Sequence, residues 1–207
     1  MAHWQIMVWC GRGIAVAWVF WVVVWTAASL GNKPVAQRES VGSRLSYFLP
    51  IALSVALLLL GKRTRLGSAL AAASSSLGWL YGRFIRLYPG LVWIGAPLVF
   101  AGLIVALWAR FYLAGNWSGS VTLKQDHELV RTGPYRFVRH PIYTGLLMAV
   151  AGTACAIGQF RGLLAFALTF YALWRKSRIE ERLMVETFGE DYRRYRADVK
   201  GLIPFVF

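Results

Sequence analysis

The chain is predicted to be an all-α integral membrane protein with five or six transmembrane helices, a C-terminal helical hairpin and an amphipathic C-terminal helix. Three observations carry that prediction. Hydrophobic residues make up 57% of the chain, the mean hydropathy is +0.51, and there are ten tryptophans. A soluble domain of 207 residues needs more polar cover than this. Uncharged runs recur between Lys and Arg clusters, as expected for helices of about 20 residues crossing a hydrocarbon layer about 30 Å thick. After Trp174 the composition changes sharply: residues 175–200 hold eight basic and six acidic side chains.

Residues 13–32 are uncharged and long enough for one crossing. Arg12 before an apolar core and Ala27-Ala28-Ser29 after it would also fit a signal peptide. Trp18, Trp21 and Trp25 suit a retained helix better. Asn32 and Pro34 stop it, and a polar loop runs to Arg44. Residues 45–61 form a second uncharged run, with Pro50 in its first turns and the cluster Lys62-Arg63-Thr64-Arg65 after it. Residues 66–82 are uncharged but rich in Ala, Ser and Gly, which gives little insertion drive and suits an inner helix against other helices. If this stretch crosses, the N-terminus lies on the same side as the charged tail; if it does not, the two lie on opposite sides. Pro89-Gly90 marks a turn, and residues 87–109 form a strong span ending at Arg110.

Residues 110–140 are polar. Residues 141–160 are uncharged and can cross, but the next apolar run, 162–174, is only 13 residues. At 1.5 Å per residue that is about 20 Å, short of the layer. Either the turn around Gly158-Gln159-Phe160-Arg161-Gly162 dips into the bilayer or Arg161 snorkels to its far face. In both cases two antiparallel helices return the chain to the side it left. Phe188, Tyr192, Tyr195 and Val199 then recur on one helical face, the pattern of a segment lying on the membrane, with Gly189 a candidate break. Residues 110–140 and 175–207 hold 13 of the 23 Lys and Arg, so that side, with the C-terminus, is expected to be cytoplasmic.

The net charge of +14 would suggest nucleic acid in a soluble protein. Here the cations lie between apolar runs, so anionic headgroups explain them and no nucleic-acid partner is expected. Cys10 and Cys155 define neither a disulfide framework nor a metal set. His3, His127 and His140 are scattered, and no metal site is expected. The chain has no Gly-x-Gly-x-x-Gly, His-Glu-x-x-His or Cys-x-x-Cys, which argues against a soluble dinucleotide fold and a zinc enzyme.

The chemistry concentrates at the hairpin ends. Gly133-Pro134 marks a turn, and Pro141 pushes His140 towards extended backbone before beginning a helix itself. Arg131, Arg136, Arg139, His140 and Tyr143 therefore collect at a membrane interface. The second arm ends in Arg175, Lys176, Glu180 and Glu181, with Lys176 and Glu180 four apart on one helical face. Folded together, His140 and Glu180 would share one ligand. A carboxylate beside aromatic rings suits a compact cation such as a sulfonium, while the basic pair suits a carboxylate or phosphate. The alternative is that charges at helix ends only anchor the spans.

The segment Gly133-Pro134-Tyr135-Arg136-Phe137-Val138-Arg139-His140-Pro141-Ile142-Tyr143-Thr144-Gly145 resembles the Arg-His-Pro-x-Tyr-x-Gly signature of the isoprenylcysteine carboxyl methyltransferases and their prokaryotic relatives. Glu180-Glu181-Arg182-Leu183, then Phe188-Gly189-Glu190-Asp191-Tyr192 and Tyr195, resembles the second signature of that family. Pro204 and Asn116-Trp117-Ser118 match as well. The resemblance covers about residues 90–207. It implies a catalytic core in 90–207 after N-terminal transmembrane helices in 1–89, binding S-adenosylmethionine and releasing S-adenosylhomocysteine without a Rossmann domain.

By matching position it implies that His127, Leu129, Val130, Tyr135, His140, Pro141, Tyr143, Glu180 and Glu181 line the cofactor. Arg139, Lys176 and Glu180 are implied as catalytic, and Asn116, Arg175 and Lys176 on the substrate side. Lys176 stands where the family carries arginine, and a lysine lacks the bidentate fork. The expected partners are the bilayer and a lipophilic or membrane-associated acceptor: an isoprenylcysteine-like carboxylate, a lipid or a small thiol. The sequence leaves the acceptor, the oligomeric state and the source membrane open. The rivals are an NADPH-dependent sterol-type membrane reductase, whose relatives place an acidic residue soon after the tyrosine where this chain has Thr144-Gly145-Leu146, and a non-enzymatic membrane scaffold.

Overall fold

The computed structural model describes residues 2–30, 35–61, 64, 67–68, 77–84, 88–114, 117, 122–124 and 129–203. Among these, five long helices and one short one make up the protein: α1 (Ala2–Ser29), α2 (Val41–Leu59), α3 (Tyr88–Leu113), α4 (Pro141–Ile157), α5 (Phe160–Phe188) and α6 (Glu190–Asp198). The helical membrane class is as expected. Within α1, α2 and α3, the stretches Val8–Ser29, Val41–Leu59 and Leu91–Leu113 are long and apolar enough to cross a membrane, and α4 is a shorter apolar helix. Their outer faces remain apolar: Val19, Phe20, Leu49, Leu53, Trp93, Ile94 and Ile104 are all more than half exposed. Such a surface is stable against lipid and not against water. One feature was not expected, a two-stranded antiparallel ribbon pairing β1 (Val35–Arg38) with β2 (Thr122–Lys124).

The α4–α5 hairpin turns on two residues. Gly158 takes φ +62°, the left-handed cap that glycine adopts without a Cβ penalty, and its N–H bonds back to Ala154 O at 2.9 Å. Helix α5 then runs 29 residues without a break, so its short apolar stretch is only the first half of a longer rod. Arg161 does not snorkel. It is buried, and its guanidinium donates to Leu57 O at 2.5 Å, Leu58 O at 3.0 Å and the Gln159 side-chain oxygen at 2.6 Å. It thereby satisfies carbonyls left open at the C-terminus of α2, where a cation also complements the helix dipole.

Helix α3 packs on α4 through backbone contact. Gly95 faces Gly152 and Gly102 faces Gly145, so two glycines seven apart on one helix meet two seven apart on the other, running antiparallel. A Cβ on Gly145 would come within 2.5 Å of Gly102 O and 2.6 Å of Ala106 N. Small residues allow this approach, and close packing holds helices together where lipid removes the hydrophobic drive between them. Gly145→Ala is therefore expected to cost about 1–3 kcal/mol of stability. Thermal unfolding in detergent checks this, and an unchanged midpoint would mean the helices can part freely.

The contacts set the side of each terminus. Arg110, near the C-terminus of α3, donates to Ala28 O at 2.5 Å, so α1 and α3 end together. Trp18 Nε1 donates to Thr153 Oγ1 at 3.1 Å, and Trp25 meets Trp117 edge-on at 4.9 Å between centroids. Trp18, Trp21 and Trp25 thus pack inward along the bundle, whereas Trp9 is exposed. At the opposite end, Tyr81 Oη donates to Leu60 O at 3.1 Å, and Phe160 N–H to Gly82 O at 3.1 Å. Leu60 and the 3₁₀ turn Gly78–Tyr81 share one end of the bundle, and residues 62–63, 65–66 and 69–76 between them lie outside the described residues. By helix direction, the N-terminus and the charged C-terminal segment are at opposite ends.

Candidate functional site

The site forms where α4 begins and the polar half of α5 passes it. Gly133 opens the entry segment at φ +59°, and a Cβ there would meet the Tyr112 ring at 2.5 Å. The 3₁₀ turn Gly133–Arg136 follows and buries Tyr135, whose hydroxyl donates to Ala109 O at 3.3 Å. Tyr195 on α6 donates to Tyr135 O at 2.5 Å. The C-terminal segment then bonds to the Arg-His-Pro segment. Arg139 N–H donates to Lys200 O at 2.8 Å, His140 N–H to Gly201 O at 3.1 Å, and Thr144 Oγ1 to Leu202 O at 2.6 Å. Gly189, at φ +54°, breaks α5 from α6 and allows this fold-back.

Inside this frame the expected juxtaposition of the hairpin ends is present. His140 Nδ1 lies 3.5 Å from Glu180 Oε2, and its Nε2 lies 3.3 Å from Glu181 Oε1. Tyr143 Oη donates to Glu180 Oε1 at 2.5 Å, and Lys176 Nζ stands 3.8 Å from the same oxygen. The His140 and Tyr143 rings are parallel within 3°, at 5.4 Å between centroids. Lys176 is buried, with its ammonium 5.4 Å from the ring centres of both Tyr143 and Tyr47. An imidazole with a carboxylate against each nitrogen is suited to carrying both protons.

Burial alone would lower the His140 pKa, but hydrogen bonds and charge from Glu180 and Glu181 outweigh it and hold the ring above its ordinary 6.5. Burial pushes Glu180 up, yet the His140 bond and the Lys176 charge leave it below 4.5. Glu181 is opposed by burial in the same way, and His140 with Arg139 brings it down to about 2.

The two carboxylates are not equivalent. Glu181 is buried, receives Arg139 at 2.6 and 2.9 Å, and has Arg196 Nε at 3.6 Å. Glu180 keeps 23% of its side chain exposed. Arg139, expected as catalytic, has all three side-chain nitrogens engaged: Glu181 takes two of them, while Arg196 O and Val199 O take the third. Its geometry is that of a positioning residue tying the tail to the site. Pro141 is buried and starts α4. Val130 packs against the cluster containing Tyr135, Tyr143 and Leu147. Leu129 and Arg175 are half-buried, and among the described residues Arg175 has no ion pair with the site. His127 and Asn116 lie outside the described residues.

Two participants carried no sequence signal. Tyr47, in the first turns of α2, reaches the cluster with its hydroxyl held by Glu39. No motif marks it; it is one aromatic in an aliphatic run. Arg196 is one cation among many in the tail.

These features define a helical integral-membrane protein with a carboxylate–imidazole–ammonium site at one end of its bundle. Residues 90–191 match the phospholipid methyltransferase family. The chain is 36% identical over 83 residues to a Schizosaccharomyces pombe protein-S-isoprenylcysteine O-methyltransferase, covering 40% of this chain and 35% of that one. It is 39% identical over 71 residues to methanethiol S-methyltransferase 1 of Bradyrhizobium diazoefficiens, covering 34% and 24%. The chain thus spans well under two thirds of either relative. A solved structure of a eukaryotic intramembrane Ras methyltransferase aligns with a TM-score of 0.49 at 22% identity, over 80% of this chain and 63% of that one.

Proposed function

We propose that this protein is a membrane methyltransferase that uses S-adenosylmethionine, releases S-adenosylhomocysteine, and methylates a lipophilic or membrane-associated acceptor. The carrying observation is the cluster itself: His140, Tyr143 and Lys176 each come within 4 Å of the Glu180 carboxylate, with His140 and Tyr143 from a segment about forty residues away. The residues fit the donor. Glu180 is the more exposed carboxylate and stands beside the His140 and Tyr143 rings, a surface suited to a compact organic cation. Leu129, Val130 and Tyr135 supply the adjoining apolar and aromatic wall, and the family pattern adds His127 to the donor-binding set.

When bound, the donor supplies an electrophilic methyl carbon on a cationic sulfur. The chain's own residues then have to hold and align. Glu180 orients the cationic part, and Glu181 acts through Arg139 and His140 to fix the segment that carries the site. The Lys176 ammonium, held between two phenol rings, faces an anionic acceptor such as a thiolate or carboxylate, which needs no base to attack. Arg175 and Asn116 belong to this acceptor side. Alignment and exclusion of water supply the rate, without a covalent enzyme intermediate. The site end of the bundle carries the excess of Lys and Arg and faces the cytoplasm, with residues 90–207 as the catalytic core and 1–89 as accessory helices.

Calorimetry on detergent-solubilised protein is expected to show binding of S-adenosylhomocysteine and none of NADPH. The reverse result would replace this reading with the reductase. A labelled-methyl transfer screen over prenylated thiols, small thiols and lipid extracts then identifies the acceptor.

A further inference from the structure

We propose that a cavity on the face of α5 away from Lys176 and Glu180 binds the phosphate of an anionic membrane phospholipid. The cavity has a volume of about 270 Å³ and lies between α5 and the segment Lys200–Leu202. Trp174, Ser177, Arg178 and Glu181 line it from α5, at the i, i+3, i+4, i+7 spacing of one helical face. Lys176 and Glu180 of the methyl-transfer cluster lie on a different face and do not line it.

Charge points to the ligand. Four basic residues, Arg139, Arg178, Arg196 and Lys200, surround one carboxylate, Glu181. That carboxylate is already engaged by Arg139 and His140 and approached by Arg196. Among the described residues neither Arg178 nor Lys200 has an ion pair. The cavity therefore carries uncompensated positive charge over a frame held by the backbone bonds of residues 200 and 201 to Arg139 and His140. Arginine and lysine in a concave site with excess charge suit a phosphate.

Position decides between a lipid and a soluble phosphate. The apolar half of α5 ends at Trp174, where the cavity begins, and Trp174 and Tyr171 adjoin at 6.3 Å between centroids. Aromatic pairs of this kind sit at headgroup level. Below them Leu163, Ala167 and Tyr171 form an exposed strip at four-residue spacing, in line with Arg178. Over about 1.5 Å per residue, Leu163 to Arg178 spans roughly 22 Å, the scale of one acyl chain with its headgroup. The strip takes the chain and the cavity takes the phosphate.

Native mass spectrometry of the detergent-solubilised full chain, titrated with phosphatidylglycerol and with phosphatidylcholine, tests this. Phosphatidylglycerol is expected to bind the wild type more tightly than phosphatidylcholine. Arg178→Gln with Lys200→Gln is expected to weaken it about thirtyfold, roughly fivefold for each cation removed. If the double variant aggregates, Lys200→Gln alone should show the fivefold loss. Equal binding of the two lipids, or an unchanged affinity in the variants, overturns the proposal. Displacement by micromolar inorganic phosphate would make the ligand a soluble anion. One-for-one displacement by S-adenosylhomocysteine would assign the cavity to the methyl donor, and either result ends the lipid assignment.

Discussion

Glu180→Gln is expected to reduce affinity for S-adenosylhomocysteine by roughly a hundredfold or more, since removing one charge of a buried, hydrogen-bonded pair costs about 2–5 kcal/mol. The substitution keeps the size and one acceptor oxygen, so Tyr143 can still donate to it. It removes the charge that faces His140 Nδ1 at 3.5 Å and Lys176 at 3.8 Å. Lys176, joined by His140 when its ring is protonated, would then oppose a cationic ligand without that compensation. A donor carrying the positive sulfonium should lose more affinity than its neutral-sulfur product, which separates a charge effect from a steric one. Calorimetry on protein whose unfolding midpoint is retained provides the measurement. Undiminished affinity would remove Glu180 from the site.

Glu181→Ala should act on stability instead. Glu181 lies 94% out of solvent at its side chain and compensates Arg139, itself 10% exposed. Breaking a buried pair from one side leaves an uncompensated charge and costs about 3–5 kcal/mol. At roughly 2–4 °C per kcal/mol for a chain of this size, the midpoint should fall by on the order of 10 °C.

The pH dependence gives a second handle. The folded state holds Glu181 at about 2 against its ordinary 4.5, so its contribution is complete above pH 4.5 and is lost as pH falls through about 2. His140 is shifted the other way, so its contribution is complete below pH 6.5 and is lost as pH rises through the raised value. Stability from this cluster should therefore plateau between about pH 4.5 and 6.5. Glu181→Ala should lose the acidic limb belonging to that carboxylate. Melting curves across pH decide, and an identical acid limb in the variant would show that the carboxylate is not what holds the tail.

How much of this was legible in the chain depends on the length scale of each interaction. Spans could be read because insertion depends on summed hydropathy over about 20 residues, a local quantity. The α4–α5 hairpin could be read because Pro141 and Gly158 have backbone preferences independent of their neighbours. Pairing of His140 with Glu180 followed from that hairpin alone. The fate of Arg161 did not: snorkelling and carbonyl capping begin from the same residue, and only the placement of α2 at Leu57 and Leu58 chooses between them. Tyr47 was hidden for a related reason. Its role exists only because α2 lies against α5, a contact between segments more than a hundred residues apart, and no motif at either place announces it.

The amino-acid sequence by itself determined the membrane class, the hairpin, and the two patches from which the site is assembled, because each follows from composition or local backbone chemistry. Tertiary structure alone decided that the N-terminus lies opposite the charged tail, that Arg139 and Glu181 brace while Glu180 stays open, and that Tyr47 joins the site. Each of those outcomes turns on which distant surfaces meet. Their free energy belongs to the pair of surfaces and is written in neither one alone.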